Sequence, residues 1–219
     1  MDYLIAAGVV IIAYLIGSVN FAVIVSGAFT GKDVRKSGSG NAGATNVLRT
    51  VGVLPGVLTF VLDAFKGFAA CFIGKSVFGM LFAQTANSLF LAEYGAYICC
   101  IAVMLGHVFP VFFGFKGGKA VACSVGTFAV CCPLAIILGL CAFAICLLIS
   151  KIVSLSSLVA TVFVVGTAVT VELAVSSAEY NVLPTVTLII VAGIIVFAKH
   201  KKNIIGLING TEKKITSKK

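Results

Sequence analysis

The sequence predicts an all-α membrane protein: one domain over residues 1–219, folded as a seven-transmembrane-helix bundle with its N-terminus outside and its C-terminus in the cytoplasm. Of the 219 residues, 60% are hydrophobic and only 11% are charged, and the mean hydropathy is +1.17. A soluble domain is typically about 25% charged, so this chain has too little polar surface to cover a water-soluble globule. Its apolar residues lie in long runs, and the polar segments between them are short.

Seven apolar runs are candidate membrane spans. They cover residues 3–26, 53–74, 88–112, 118–131, 134–150, 153–174 and 183–199. A full span needs about 20 residues, so the fourth and fifth runs are short. The segment 118–150 therefore forms either one long tilted helix or two short helices that turn at Cys131–Cys132–Pro133. Pro133 favours the break, because proline lacks an amide donor and disfavours helix just before it.

The distribution of basic residues predicts the orientation. With seven spans and an external N-terminus, fourteen of the sixteen Lys and Arg residues fall on the cytoplasmic side, and the exceptions are Lys66 and Lys75. Six spans would move Lys151 and the seven lysines of the tail, Lys218 and Lys219 among them, to the outside. The positive-inside rule therefore favours seven spans over six. The net charge of +9 therefore indicates cytoplasmic loops rather than nucleic-acid binding.

Eight cysteines are present, but they form no CxxC pair and no cluster with histidine. All lie in apolar surroundings, where a free thiol behaves as a small hydrophobe. We expect no metal site and no disulfide framework from Cys71, Cys99, Cys100, Cys123, Cys131, Cys132, Cys141 and Cys146.

The first polar segment whose residues suit ligand binding is RKSGSGNAGATNVLR, residues 35–49. Glycines and short polar side chains allow tight backbone turns that direct several N–H groups to one point, and such a nest binds oxyanions. Arg49 adds a bidentate donor for phosphate. The alternative is a solvated, flexible loop, but a compact core of small residues without a carboxylate is unusual for one.

The second segment is GHVFPVFFGFKGGKA, residues 106–120. Gly117 and Gly118 lie between two lysines, just before an apolar helix, which is again an arrangement that binds phosphate. The two lysines are equally compatible with anchors that extend to the membrane interface. His107 is a candidate general base, although we favour a role in capping or tying the loop.

The third segment is KHKKNIIGLINGTEKKI, residues 199–215, whose lysines suit an anionic cytoplasmic leaflet. His200, Asn203 and Glu212 differ from their basic neighbours, and Glu212 is the one carboxylate available to pair within the tail. A plain basic tail is the alternative interpretation. Ser154, Ser156 and Ser157 lie near the same face, where they either join helices or reach the site.

Two opposite charges lie inside the second apolar run. Asp63 and Lys66 are three residues apart, so they share one face of a helix. Charges in lipid are costly and are usually paired or functional. We expect an ion pair that braces the bundle, and direct catalysis is the less favoured alternative.

Together these segments resemble the bacterial acyl-phosphate:glycerol-3-phosphate acyltransferases, membrane enzymes that make 1-acylglycerol 3-phosphate. The resemblance covers nearly the whole chain and rests on several long motifs in the right order. They are GSVNFA at 17–22, SGSGNAGATNVLR at 37–49, DAFKG at 63–67, GHVFPVFFGFKGGKAVA at 106–122, VSLSS at 153–157, and KHKKNI with GTEKKI in the tail.

The resemblance implies acyl transfer from acyl phosphate to the 1-hydroxyl of glycerol 3-phosphate, at a site facing the cytoplasm in the bacterial inner membrane. It implies no cofactor and no metal, and possible partners among other proteins of phospholipid synthesis. The binding residues that it implies are Ser39, Gly40, Asn41, Gly43, Thr45, Asn46, Arg49, His107, Gly117, Gly118, Lys119, Ser157, His200 and Asn203. Asp63, Lys66 and Glu212 are implied as structural support.

The chain departs from the family pattern at a few positions. Asn20 replaces a usual proline, Ala120 a usual glycine and Cys123 a common threonine, while Lys199 and Lys201 replace arginine or histidine–arginine patterns. None of these changes removes a phosphate-binding charge, so we expect an active enzyme. The extra methyl group of Ala120 is the change expected to affect loop geometry most.

No Ser–His–Asp or HxxxxD constellation is present in the sequence, so we expect direct transfer without an acyl-enzyme. By resemblance, a substrate phosphate takes the proton, and His107 is the alternative base. A transporter of organic phosphates and a non-catalytic scaffold of lipid synthesis are the competing functions. Transporters often contain repeated halves with polar sites at mid-membrane, whereas this chain has no visible repeat and its polar motifs lie at one face.

Overall fold

A computed structural model describes residues 1–84, 88–175 and 181–215, and all regular structure in these ranges is helical. Lys218 and Lys219 lie outside the described residues. The helices are α1 (Asp2–Ser18), α2 (Phe21–Thr30), α3 (Ala44–Thr50), α4 (Val53–Leu81), α5 (Ser88–Val108), α6 (Val121–Cys131), α7 (Pro133–Ser150), α8 (Val153–Ala174), α9 (Leu183–Lys199) and α10 (Lys201–Ile208). Short 3-10 turns cover Val34–Lys36 and Val111–Phe113.

The described chain contains five segments that are long and apolar enough to cross a membrane. They are Asp2–Thr30, Val53–Leu81, Leu91–Phe113, Pro133–Ser150 and Val153–Ala174. A sixth results if α9 and α10, which are bent by 60°, count as one broken span. The remaining predicted span, the fourth (118–131), corresponds to α6, whose 11 residues extend only about 16 Å, roughly half of an apolar core about 30 Å thick. The protein is thus a helical membrane protein with five or six candidate spans.

The chain breaks at Cys132, between α6 and α7. Cys132 has φ −153° and ψ 85°, outside the helical region, and Pro133 is the first residue of α7. This position suits proline, because the first amide of a helix has no intrahelical acceptor. Of the two arrangements considered for residues 118–150, the structure therefore has the pair of short helices.

A second break interrupts the first predicted span at Val19 and Asn20. The Asn20 side chain accepts a hydrogen bond from the Val23 amide at 3.2 Å and so caps the start of α2. The carbonyl that the break frees at Val19 accepts a hydrogen bond from Lys66 Nζ at 2.6 Å. The hydropathy of the first predicted span does not detect this break, because Ser18 and Asn20 are isolated polar residues within a long apolar run.

Helix α4 packs against α1, α5 and α6, and α7 packs against α8. The approach of α6 to α4 is close: a Cβ atom added at Gly126 would overlap the carbonyl of Ala64. Six of the eight thiols are buried within or beside this core, while Cys141 is exposed and Cys146 half-buried. Many large apolar side chains on the outer helix faces, such as Ile149, are exposed in the monomer, as expected for contact with lipid.

The polar segments gather at one end of the bundle. Arg35 in the α2–α3 loop donates a hydrogen bond to the Phe113 carbonyl at 2.8 Å, and the Ile215 amide donates to the Lys151 carbonyl at 2.7 Å. The N-terminus lies at the other end, where the ring of Tyr3 packs on that of Phe82, just after α4. The loops of interest therefore form one continuous polar surface.

Candidate active site

Asn46 organises the first loop from inside. Its side-chain amide nitrogen donates to the carbonyls of Val34, Ser37 and Asn41 at 3.0–3.1 Å, and its Oδ1 accepts from the Ser39 amide at 3.0 Å. The side chain is buried, with 2% of the residue exposed. Asn46 therefore builds the loop, and its side-chain amide is fully occupied by backbone partners.

The remaining predicted residues of this loop lie nearer to solvent. Ser39 and Gly40 are exposed, and Asn41, Gly43 and Thr45 are half-buried. The turn needs glycine at position 38, where φ is +61° and a Cβ atom would overlap Asn46 Oδ1. The loop thus combines a fixed interior with an accessible rim of small polar groups, which suits an oxyanion nest.

Arg35 is a residue that the sequence analysis missed. Its guanidinium pairs with Asp33, two residues earlier, at 2.8 Å, and reaches across to the Phe113 carbonyl at 2.8 Å and the Lys116 carbonyl at 3.4 Å. The hydrogen bond from Arg35 lowers the pKa of the Asp33 carboxyl. Arg35 therefore fastens the first loop to the second. The sequence feature that could have indicated this role is the neighbouring Asp33, which lies just outside the segment 35–49.

The second loop rests on His107. The Gly118 amide donates to the His107 carbonyl at 3.2 Å, and a Cβ atom at Gly118 would overlap His107 Nε2 and lie 2.5 Å from the Ala42 carbonyl. A Cβ atom at Gly117 would overlap the His107 carbonyl. Both glycines are therefore required by close contacts, and Gly118 lies where the first and second loops meet.

A chain of hydrogen bonds connects the second loop to the tail. Lys119 Nζ donates to Asn203 Oδ1, and Asn203 Nδ2 donates to Glu212 Oε1 at 2.7 Å. Ser154 Oγ, at the start of α8, donates to the same carboxylate oxygen at 2.6 Å. Glu212 is thus a brace, but its partners in this chain of bonds are an amide and a hydroxyl rather than a basic group. Ser154, rather than the predicted Ser157, links α8 to the site.

Lys119 carries the charge at the centre of this arrangement. Burial lowers the pKa of the Lys119 ammonium, and nearby Arg49 lowers it further, while the Glu212 carboxylate opposes both effects. Arg49 lies close to the tail, where its Nη2 donates to the Lys213 carbonyl at 3.4 Å. Two cations from different segments therefore face one region, which is favourable for a phosphate.

Two predicted binding residues make other contacts. His200 is buried, and its Nδ1 lies 2.8 Å from the Val196 carbonyl within its own helix turn. Ser157 is also buried, and its hydroxyl donates to the Val153 carbonyl at 2.9 Å. Both side chains are turned toward backbone acceptors of their own helices.

Asp63 and Lys66 form the expected buried pair, with Lys66 Nζ 2.9 Å from Asp63 Oδ1. Their side chains are 1% and 3% exposed. His107 Nδ1 lies 3.6 Å from the same oxygen. The pair therefore lies directly beneath the second loop, with the histidine between them.

Ala120 adopts the left-handed conformation, with φ +62° and ψ +6°, and is fully buried. This region favours glycine, the residue that the resemblance implies at position 120, so the methyl group of Ala120 lies where it is strained. Cys123 is also buried, and its carbonyl would overlap a Cβ atom at Gly67 of α4. Both departures therefore lie in tightly packed positions.

Comparisons with known proteins identify the family. Residues 7–210 match the family model described as glycerol-3-phosphate acyltransferase. Glycerol-3-phosphate acyltransferase 2 of Bacillus anthracis is 39% identical over 94% of this chain and 96% of its own length. The enzyme of Chromobacterium violaceum is 42% identical over 95% and 94%.

Solved structures give the same result. The glycerol 3-phosphate form of PlsY (YgiH), an integral membrane glycerol 3-phosphate acyltransferase, matches with a TM-score of 0.77 and 33% identity, covering 95% of this chain and 94% of that one. Its lysophosphatidic acid form matches with a TM-score of 0.74. The protein therefore belongs to the glycerol-3-phosphate acyltransferase family of integral membrane proteins.

Proposed function

We propose that the protein transfers an acyl group from acyl phosphate to the 1-hydroxyl of sn-glycerol 3-phosphate. The products are 1-acylglycerol 3-phosphate and inorganic phosphate, in the first step of bacterial phospholipid synthesis. Related crystal structures of PlsY with glycerol 3-phosphate and with lysophosphatidic acid support this choice of acceptor and product. The acyl phosphate donor is implied by the family resemblance, and the cationic loops are compatible with a second phosphate.

One observation carries the proposal. The hydrogen-bonded chain from Lys119 through Asn203 to Glu212 joins the second loop to the tail, and Gly118 touches Ala42 of the first loop. Segments separated by about 160 residues thus converge on one cationic surface that has few acidic groups. Two phosphate-bearing substrates are the ligands that such a surface suits best.

In this proposal Arg49 and Lys119 bind phosphate, assisted by the rim of the first loop from Ser39 to Thr45 and by the Gly117–Gly118 turn. The acyl chain extends into the apolar helix surface. Holding two substrates in reactive geometry is worth about 7–11 kcal/mol of barrier. Donors aimed at the developing oxyanion add about 2.7–4 kcal/mol each.

We propose direct transfer. The 1-hydroxyl oxygen attacks the acyl carbon, the bond from that carbon to the phosphate oxygen breaks, and the leaving phosphate keeps the electron pair and receives the hydroxyl proton. The side chains nearby support this route, because Ser154 donates to Glu212 and Ser157 donates to its own helix. His107 is buried beneath Gly118, which argues against its role as the base.

We further propose one domain in the bacterial inner membrane, with seven crossings, an external N-terminus and a cytoplasmic site. The position of the N-terminus at the end opposite to the polar loops supports an odd number of crossings. The short α6 would then be the additional crossing, and α7 would return the chain to the end of the bundle that carries the polar loops. The basic residues concentrated at that end support a cytoplasmic orientation.

Rapid mixing of the purified protein with labelled acyl phosphate tests the donor and the route. We expect labelled lysophosphatidic acid only when glycerol 3-phosphate is present, and no labelled protein by mass spectrometry. A stoichiometric burst of acyl-enzyme would contradict direct transfer. Turnover with an acyl thioester and none with acyl phosphate would contradict the proposed donor.

A further inference from the structure

The buried polar atoms that lack hydrogen bonds are concentrated beneath the second loop. Within the described residues, the buried side-chain atoms without a hydrogen-bond partner are Asn20 Nδ2, both oxygens of Asp63 and His107 Nδ1. Asp63 Oδ1 and His107 Nδ1 are 3.6 Å apart. Burying polar atoms without hydrogen bonds is destabilising, so a purely architectural origin is a poor explanation for their retention.

The Asp63 carboxylate is held from the opposite side. Lys66 Nζ contacts Asp63 Oδ1 at 2.9 Å in an ion pair that is not aligned as a hydrogen bond. The same ammonium donates to the Val19 carbonyl at 2.6 Å, at the break between α1 and α2. Lys66 therefore ties the carboxylate of its own helix to the break between α1 and α2, and the negative charge favours the His107 tautomer with its proton on Nδ1, which lies 3.6 Å away.

An imidazole turned this way presents its other edge to the loop. A Cβ atom added at Gly118 would overlap His107 Nε2, and the His107 carbonyl accepts the Gly118 amide at 3.2 Å. The ring and the carbonyl of one residue thus determine where Gly118 lies. Lys119 is the next residue, so a rotation of the ring would displace the ammonium from Asn203.

We propose that Asp63, acting through His107, is a positioning residue for the Gly117–Gly118 turn and hence for the phosphate-binding Lys119. Neither Asp63 nor His107 touches substrate in this account. The inference rests on the proposed function, because it assigns a purpose to the intramembrane ion pair within that reaction.

A double-mutant cycle tests whether Asp63 acts through His107. The measured quantity is kcat/KM for glycerol 3-phosphate in purified Asp63→Asn, His107→Ala and the double variant. Misplacing a binding group by about 1 Å can reduce the rate about 100-fold, and we expect losses of up to that size. The double variant should lose no more than His107→Ala alone. Losses that multiply would overturn the proposal.

Rescue by a conservative variant separates positioning from general stability. His107→Gln keeps a side chain that can bond Asp63 and fill the space under Gly118. Its kcat/KM for glycerol 3-phosphate should therefore be at least about tenfold higher than that of His107→Ala, as is typical when a residue that orients a binding group is restored. The same variant should also lower the raised KM for glycerol 3-phosphate. Equal activity of the two variants would overturn the proposal.

A matched control removes a carboxylate between the same two helices but far from the loop. Glu93 of α5 pairs with Lys75 of α4, and Glu93→Gln should leave kcat/KM within about threefold, as expected of a partly exposed pair. The Asp63→Asn variant is replaced in the cycle if it does not fold because Lys66 is left unpaired. The replacement combines Asp63→Asn with Lys66→Met and so removes both charges. A wild-type protein that makes no lysophosphatidic acid would refute the proposed function itself, whereas an active wild type with multiplicative losses refutes only the positioning role.

Discussion

At the residue scale, the polar side chains of the first loop divide into those that build it and those that remain accessible. Composition alone predicted that the segment forms a compact nest, but it could not separate Asn46, which is saturated by backbone contacts, from the exposed Ser39. The distinction depends on which way each side chain points after the chain turns at Gly38. That direction follows from tertiary contacts, which a single sequence does not display.

Replacement of Asn46 by alanine tests the structural role. Four hydrogen bonds disappear and three carbonyls lose a donor, so Asn46→Ala should reduce the free energy of unfolding by about 2–4 kcal/mol. Denaturant unfolding in detergent measures this change. Ser39→Ala, at an exposed position in the same loop, should change it by less than about 0.5 kcal/mol. Similar values for both variants would show that Asn46 does not hold the loop.

Ala120 allows a second test at the residue scale. Its left-handed backbone and complete burial leave little room for a branched side chain. Ala120→Val should cost about 2–4 kcal/mol of unfolding free energy through strain and overpacking, while Ala120→Gly should be tolerated. Ala122→Val, the same replacement within regular α6 at a half-buried position, should cost less than about 1 kcal/mol. An equal cost at 120 and 122 would exclude backbone strain at Ala120.

At the element scale, helix positions followed closely from apolar runs, whereas breaks and lengths did not. The break before Pro133 was predictable from the chemistry of proline, but the break at Asn20 depends on a side-chain cap and on Lys66, a residue from another helix. The short α6 is also a tertiary result, because its packing on α4 through Gly126 compensates for an incomplete span. The tail shows the same limit: the resemblance implied Glu212 as structural support, but the local sequence did not indicate Asn203 and Ser154 as its partners.

The tail carboxylate should control the protonation of Lys119. Since the negative charge of Glu212 raises the pKa of Lys119 against the lowering effect of burial, Glu212→Gln should lower that pKa further. Lys119 would then become neutral at a lower pH, and the alkaline limb of the profile of kcat/KM for glycerol 3-phosphate should move to lower pH. Glu93→Gln, at the other end of the bundle, should leave the limb in place. A shift to higher pH would contradict the proposed coupling.

At the scale of the whole molecule, helices of very different lengths bring three separated polar segments to one end of the bundle. The sequence predicted this convergence from the positive-inside rule and from the motif order, and the hydrogen bonds from Arg35 to Phe113 and from Lys119 to Asn203 confirm it. Ser154 was expected near this face, but its bond to Glu212 and the link that Arg35 makes between the first two loops could not be predicted. Their roles depend on loop-to-loop distances that no local pattern encodes.

The central claim is that this convergent cationic surface recognises the phosphate of the acyl acceptor. Its most direct test is the ratio of kcat/KM for glycerol 3-phosphate to that for glycerol, with acyl phosphate as donor and purified protein in detergent. We predict a ratio of at least about 100, since a charged contact is worth about 1.5–3 kcal/mol and glycerol would lose those of both Arg49 and Lys119. The ratio should fall at least tenfold in Arg49→Ala, but not in Lys36→Ala, which removes an exposed cation of the same loop. Equal acylation of glycerol and glycerol 3-phosphate by the wild-type protein would contradict the account.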